Sequence, residues 1–103
     1  IAIAALNTGT TRVLAAQAAD EMLNISGITC SFVMYPDGDK INISARSIGD
    51  VNVQLILEKL RGGGHFDVAG AALTDTELED AERLLTETID SYFDNTAPTQ
   101  KNK

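Results

Sequence analysis

The sequence predicts an α/β domain of the α+β type, in which a small mixed β-sheet of about four to five strands, including a hairpin, packs against three helices. Three observations predict this fold. The chain has 103 residues, enough for one hydrophobic core but not for two. Its hydrophobic content of 44% is typical of a globular protein. Its patterns follow the order strand, helix, strand, strand, helix, strand, helix.

The first quarter of the chain predicts a strand and a helix. Residues 1–6 are apolar and end at the polar break of residues 7–9, so we expect a short buried strand. Thr10 or Thr11 can cap a helix that runs to about Leu23. The expected buried face of this helix is the i, i+4 series Leu14, Ala18 and Met22.

Residues 28–47 predict a β-hairpin that turns at residues 36–39, where Pro, Asp, Gly and Asp follow one another. The second strand alternates between two faces. The apolar face, Ile41, Ile43 and Ala45, belongs to the core. The opposite face carries Asn42, Ser44 and Arg46, which lie about 7 Å apart along a strand. Such a polar face is usually only solvated, but it can also bind a ligand.

The next helix is predicted between Asp50, as its N-cap, and about Leu60, with Gly62 as a left-handed terminator. After the glycines, residues 68–73 are small and apolar and predict a tightly packed strand. The helix between Asp50 and Leu60 has the apolar stripe Val53, Ile56, Leu57 and Leu60.

A capping box formed by Thr74 and Glu77 is expected to start the last helix. Its predicted buried face is Leu78, Ala81, Leu85, Ile89 and Tyr92. We assign the folded domain to residues 1–94 and a disordered polar tail to residues 95–103.

The net charge of −7 is concentrated in one segment. Residues 75–94 carry eight acidic residues against Arg83, a balance that equals the net charge of the whole chain. No basic field extends over the domain, so we expect no binding of duplex nucleic acid. A small anion held by local contacts is still compatible with this charge.

The chemically informative stretch is residues 61–70, which holds three consecutive glycines and the only histidine, His65. We predict a loop there that binds a phosphate. It is not a P-loop, because a helix precedes the glycines and a strand follows them. The preceding helix therefore presents its negative dipole end, and a cation is needed, for which Arg46 is the best candidate. A glycine run is as often structural, so the prediction requires glycines, His65 and Arg46 to converge.

Neither a metal centre nor a nucleophilic site is predicted within this chain. A two-metal site needs several carboxylate and imidazole ligands, and the chain has one histidine and acids that belong to a solvated helix face. Cys30 is the only cysteine and lies at an inward-facing strand position, where it is expected to be a small buried hydrophobe.

A family resemblance rests on these residues. Gly62-Gly63-Gly64-His65, followed after two residues by Val68-Ala69-Gly70, resembles the signature of the C-terminal, DHH-associated domain of DHH-family phosphoesterases. Residues 43–47 and 51–54 resemble the matching strand and helix, and they are most similar to the cyclic-di-AMP phosphodiesterase branch. The resemblance covers residues 1–93.

The resemblance implies a division of labour. In the family, an N-terminal DHH domain of the same chain holds two manganese ions and hydrolyses the substrate, while the C-terminal domain grips it. Gly62, Gly63, Gly64 and His65 are then expected to hold a substrate phosphate, and Arg46 to clamp it. Ser44 and Asn42 are added from the two-faced strand and not from the family. This chain alone is expected to bind and not to catalyse, whereas the full-length parent is a phosphodiesterase.

The resemblance also implies the partners and the location. The ligand is expected to be cyclic di-AMP or a linear dinucleotide, and the parent is free to form a homodimer. The chain begins without methionine and inside a predicted strand, so we expect an excised domain of a larger protein. The resemblance implies that this is a cytoplasmic domain of a membrane-anchored bacterial protein. The alternatives are the same domain in a nano-RNase, a single-strand exonuclease or an adenosine-bisphosphate phosphatase. From another class, a regulatory or interaction module without catalysis is also open.

Overall fold

The computed structural model describes residues 1–7 and 9–96 and contains five strands and three helices. Their order is β1 (Ala2–Ala5), α1 (Arg12–Met22), β2 (Cys30–Asp37), β3 (Lys40–Ser47), α2 (Val53–Glu58), β4 (Gly63–Gly64), β5 (Val68–Thr74) and α3 (Leu78–Thr96). The predicted mixed sheet with three helices is confirmed. The predicted tail from residue 97 onward lies outside the described residues, and α3 continues through residues 95 and 96.

The five strands form one sheet in the order β1-β2-β3-β5-β4. β1 runs parallel to β2, and all other neighbours are antiparallel. The β2–β3 hairpin is confirmed, but its connection is shorter than predicted, because Asp37 already pairs with Lys40. Gly38 provides the positive φ of 64° that this two-residue turn requires. In this order β3 is the middle strand of the sheet, between β2 and β5.

The main core lies between one face of the sheet and helices α2 and α3. The inward residues predicted for β3 are buried there, as is the predicted stripe of α2. On α3, Ala81, Leu85 and Ile89 are buried, and Leu78 and Tyr92 pack at the margin of this core. Cys30 is buried here as well, and desolvation raises the pKa of its thiol.

Helix α1 packs on the opposite face of the sheet, against β2 and β3. Its buried residues are Ala15 and Ala19, and the predicted residues Ala18 and Met22 pack at the margin of the same cluster. Leu14 was predicted wrongly, because it is 54% exposed. Small alanines let the helix approach the sheet closely, and the buried Ser31 hydroxyl donates a 2.7 Å hydrogen bond to the Ala19 carbonyl. Strand β1 was expected to be buried, but it is an edge strand, and Ile3 is 36% exposed.

Two predicted helix caps are wrong. The N-cap of α2 is Asn52, whose side chain accepts a 3.1 Å hydrogen bond from the Leu55 amide, so Asp50 lies before the helix. Thr74 is the last residue of β5, and Asp75 follows with a positive φ of 51°. Because α3 begins only at Leu78, the predicted capping box does not form. None of the helices within the described residues is long and apolar enough to cross a membrane.

Replacing the cap of α2 tests this assignment. Asn52→Ala should lower the free energy of unfolding by about 1 kcal/mol, because it removes the acceptor for an orphan amide of the first turn. Asp50→Ala is the matched control and should change it by less than about 0.5 kcal/mol. Urea unfolding followed by circular dichroism measures both values. Equal losses in the two variants would contradict the assignment.

Candidate ligand-binding cleft

The glycine segment is an edge strand and not the predicted loop. Gly63 and Gly64 pair with Gly70 and Ala69 of β5, and together they form β4. Helix α2 ends just before, where the Gly62 amide donates a 2.8 Å hydrogen bond to the Leu57 carbonyl. The chain thus passes directly from the end of a helix to the outer edge of the sheet.

The left-handed residue at the end of α2 is Arg61, with φ of 65°, so Gly62 is not the terminator that the sequence predicted. Gly62 is required for a different reason. A Cβ atom at this position would overlap the Gly70 carbonyl oxygen and the Ala71 side chain. The helix end is therefore pressed against β5, and only a residue without a side chain fits there.

The other two glycines differ from each other. A Cβ atom on Gly64 would lie 2.5 Å from the Val68 carbonyl oxygen, and its φ of 145° favours glycine. A Cβ atom on Gly63 would meet nothing within 4 Å, and its φ is not in the left-handed region. Packing thus explains Gly62 and Gly64 but not Gly63, which leaves Gly63 free for a functional role.

The register of the sheet aligns the predicted residues of β3 with the glycine segment. Ser44 lies opposite Gly70, which in turn pairs with Gly63. Two strand spacings, about 10 Å, separate Ser44 from Gly63 across this row. Because Gly70 lies between them and has no side chain, no side chain separates Ser44 from Gly63 in this row.

A second row joins the predicted cation to the histidine. Arg46 lies opposite Val68, and the Val68 carbonyl accepts a 2.7 Å hydrogen bond from the His65 amide. His65 is exposed, next to the end of β4. Gly63 thus lies on the row of Ser44, and Arg46 and His65 lie on the next row but one along the same part of the sheet.

A cleft of about 420 Å³ lies at the glycine edge, beside the start of α1. Its volume is within the range of small-molecule sites. Of the predicted residues, Asn42, Gly62 and Gly63 line it, whereas Ser44, Arg46, Gly64 and His65 lie outside its lining. The full lining is Arg12, Asn42, Ile43, Arg61, Gly62, Gly63, Gly70, Ala71 and Ala72.

Arg46 is already engaged by α1. Its Nε donates a 3.0 Å hydrogen bond to Asp20 Oδ1, and its Nη1 donates a 2.9 Å hydrogen bond to the Ala45 carbonyl. The Arg46 side chain is 15% exposed, and that of Asp20 is 63% exposed. A phosphate could reach the guanidinium only in competition with the Asp20 carboxylate.

Two arginines of the cleft were missed by the sequence interpretation. Arg12 is the first residue of α1, and Arg61 directly precedes the glycines. The position of Arg61 beside the glycine run was a usable signal. No comparable signal exists for Arg12, because only the packing of α1 on the sheet brings it to the cleft.

The described residues do not fit a metal centre of their own. Within residues 1–7 and 9–96, no three His, Cys, Asp or Glu side chains come close enough together to hold a metal ion. A second cleft of about 460 Å³, at the β2–β3 turn, is lined by three acids, Asp39, Asp75 and Glu77, with Lys40 as its only cation. Its acids would repel an anion, so the glycine cleft is the better phosphate site of the two.

The comparison with known proteins identifies the family of the chain. Residues 1–95 match the model of the DHHA1 domain. The chain belongs to the DHHA1 domain family. Over 88 residues, which is 84% of this chain, the DHHA1 domain is 50% identical to cyclic-di-AMP phosphodiesterase GdpP of Geobacillus thermodenitrificans. Over 82 residues, or 79% of the chain, it is 51% identical to cyclic-di-AMP phosphodiesterase PdeA of Listeria monocytogenes.

These relatives are much longer than the DHHA1 domain. The chain spans 13% of GdpP and 12% of PdeA. Among solved structures, an exopolyphosphatase-related protein from Bacteroides fragilis superimposes with a TM-score of 0.75 at 20% identity. That match covers 85% of this chain and 28% of the other, and at this identity it shows a shared fold.

The unequal roles of the three glycines can be measured. Gly62→Ala and Gly64→Ala should each lower the free energy of unfolding by about 1–3 kcal/mol, because the added methyl group collides with β5. Gly63→Ala should change it by less than about 1 kcal/mol. Urea unfolding of the three variants gives the comparison. A loss for Gly63→Ala as large as for the other two would refute the distinction.

Proposed function

We propose that this DHHA1 domain binds a phosphate of a cyclic dinucleotide, cyclic di-AMP or its linear product, for a phosphodiesterase whose metal site lies elsewhere in the parent chain. The observation that carries the proposal is the glycine edge itself. Packing does not require a glycine at Gly63, and Gly63 lines an open cleft. Ser44 lies in the same row of the sheet as Gly63, and Arg46 lies two residues further along β3. The names of the two relatives at about 50% identity support this substrate class.

The backbone of β4 can supply a donor to the phosphate. β4 is the last strand of the sheet, so one of its edges is free. Since the His65 amide points to Val68, the alternating pattern of an antiparallel pair turns the Gly64 amide away from β5. Gly63 and Gly64 are exposed, so an anion can approach the outward-facing Gly64 amide without meeting a side chain.

The side chains then supply charge and orientation. His65 follows the glycines directly and is exposed, so its ring can reach an anion bound at the Gly64 amide. Arg46, once it leaves Asp20, can contact phosphate oxygens with its planar guanidinium. Ser44 and Asn42 complete the polar side of β3 as hydrogen-bond partners of the ligand. We assign manganese to an N-terminal DHH domain of the parent, where a metal-activated water would carry out hydrolysis.

Titration by NMR tests the binding site. Cyclic di-AMP should shift the amide signals of residues 62–65 in this chain, and His65→Ala should weaken binding by about 10- to 150-fold, because it removes one charge-assisted contact. Gly63→Ala should also weaken binding while the domain stays folded. Arg83→Ala, which alters an exposed ion pair on α3, is the control and should bind as the unmodified chain does.

Unshifted signals at millimolar ligand would count against the proposal and favour a regulatory or interaction module. In the intact parent enzyme, hydrolysis of cyclic di-AMP, a short oligonucleotide and adenosine bisphosphate should be compared. Preference for either of the last two would move the assignment to a nano-RNase, an exonuclease or a phosphatase. Both His65→Ala and Gly63→Ala should retain their manganese, and loss of the metal would refute the division of labour.

The ion pair on α1 gives a separate test of Arg46. Asp20→Ala should tighten cyclic di-AMP binding by about 1.4- to 5-fold, because the phosphate no longer competes with an exposed carboxylate worth about 0.2–1 kcal/mol. Arg46→Ala should weaken binding, and adding Asp20→Ala to it should have no further effect. Isothermal titration calorimetry measures these affinities. An equal gain from Asp20→Ala in the presence and absence of Arg46 would exclude Arg46 from the site.

A further inference from the structure

We infer that Arg12 and Arg61 form a second anion subsite in the glycine cleft, which binds the other phosphate of a ligand that carries two. This inference rests on the proposed function, in which the first phosphate binds at residues 63–65. It makes the domain selective for dinucleotides with two phosphate groups over nucleotides with one.

The charge of the cleft differs from that of the domain around it. The chain has 15 acidic residues and a net charge of −7. None of these acids lines the cleft, although both arginines do. The potential in the cleft is therefore set by two guanidinium groups, at short range, within an otherwise acidic molecule.

Both guanidinium groups are available to a ligand. Within the described residues, Arg46 and Arg83 form ion pairs with Asp20 and Asp80, whereas Arg12 and Arg61 have no carboxylate partner there. Both side chains are exposed at the cleft. Arginine binds phosphate oxygens through two parallel N–H groups. Two arginines without carboxylate partners at one cleft are therefore well suited to bind a phosphate.

The backbone conformation of Arg61 also supports a role of this residue in ligand binding. Its φ of 65° lies in the left-handed region, where glycine is more favourable than a residue with a side chain. Three glycines follow at once, yet this position carries arginine. The contribution of the guanidinium to ligand binding would offset the unfavourable backbone conformation.

The two subsites are close enough for one small molecule. Arg61 and His65 are four residues apart, so their Cα atoms are separated by at most about 13 Å along an extended strand. Arg12 approaches from the start of α1, whose positive dipole end also favours an anion. A ligand with two phosphates can occupy both subsites at once, whereas a mononucleotide can occupy only one.

The test compares two ligands and four variants. Dissociation constants for cyclic di-AMP and for adenosine monophosphate are measured by calorimetry on this chain with Arg12→Gln, Arg61→Gln, Arg61→Gly and Lys59→Gln. The arginine variants should lose about 3- to 30-fold in affinity for cyclic di-AMP and less than about twofold for the monophosphate. Arg61→Gly removes the guanidinium but suits the left-handed backbone, so it should unfold no more easily than the unmodified chain. Lys59→Gln removes an exposed cation outside the cleft and should have no effect.

Each failure has its own signature. If the unmodified chain binds neither nucleotide, the proposed function fails, and the second subsite with it. If it binds cyclic di-AMP and the Arg12 and Arg61 variants bind equally well, only the second subsite is refuted. Equal losses for both ligands, or an equal loss for Lys59→Gln, would show general charge attraction and would also overturn it.

Discussion

The close approach of residues 62–64 to β5 is the constraint on which the site depends. Gly62 and Gly64 meet β5 at distances that no side chain allows. This contact joins the end of α2 to the edge of the sheet and leads the chain into β4. Arg61, Gly63 and His65 are placed by it, because they lie before, within and after the contact. Packing therefore requires two of the three glycines and not Gly63, which a count of glycines in the sequence does not reveal.

The electrostatics follow from the two faces of the sheet. The acidic helix α3 packs with α2 over the main core, whereas α1 and the glycine cleft are associated with the opposite face. The body of the domain separates most acids from the cleft, and salt screens exposed charges over about 8 Å. A candidate anion site in the cleft is in this way compatible with an acidic domain. The pairing of Arg46 with Asp20 adds a local competition to that site.

Local patterns predicted which helices and strands form better than they predicted the residues at which these begin and end. The alternation of β3 and the stripes of α2 and α3 follow from one buried face each, so they were readable from the sequence. On α1, Ala18 and Met22 pack as predicted but Leu14 does not, because the helix approaches β2 mainly through Ala15 and Ala19. The cap at Asn52 was missed because Asp50 is an equally good cap by residue type, and only the start of the helix separates them.

The sequence by itself determined the α+β class, the order of all elements except β4, and most of the candidate residues for a phosphate site. Hydrophobic periodicity and turn chemistry are local, so they act over a few residues and can be read along the chain. Tertiary structure alone decided that Ser44 lies in one row with Gly63, that Asp20 holds Arg46 and that Arg12 reaches the cleft. These relations join residues that are about 20 to 50 positions apart, and strand register and helix packing set them through the shape of the whole core.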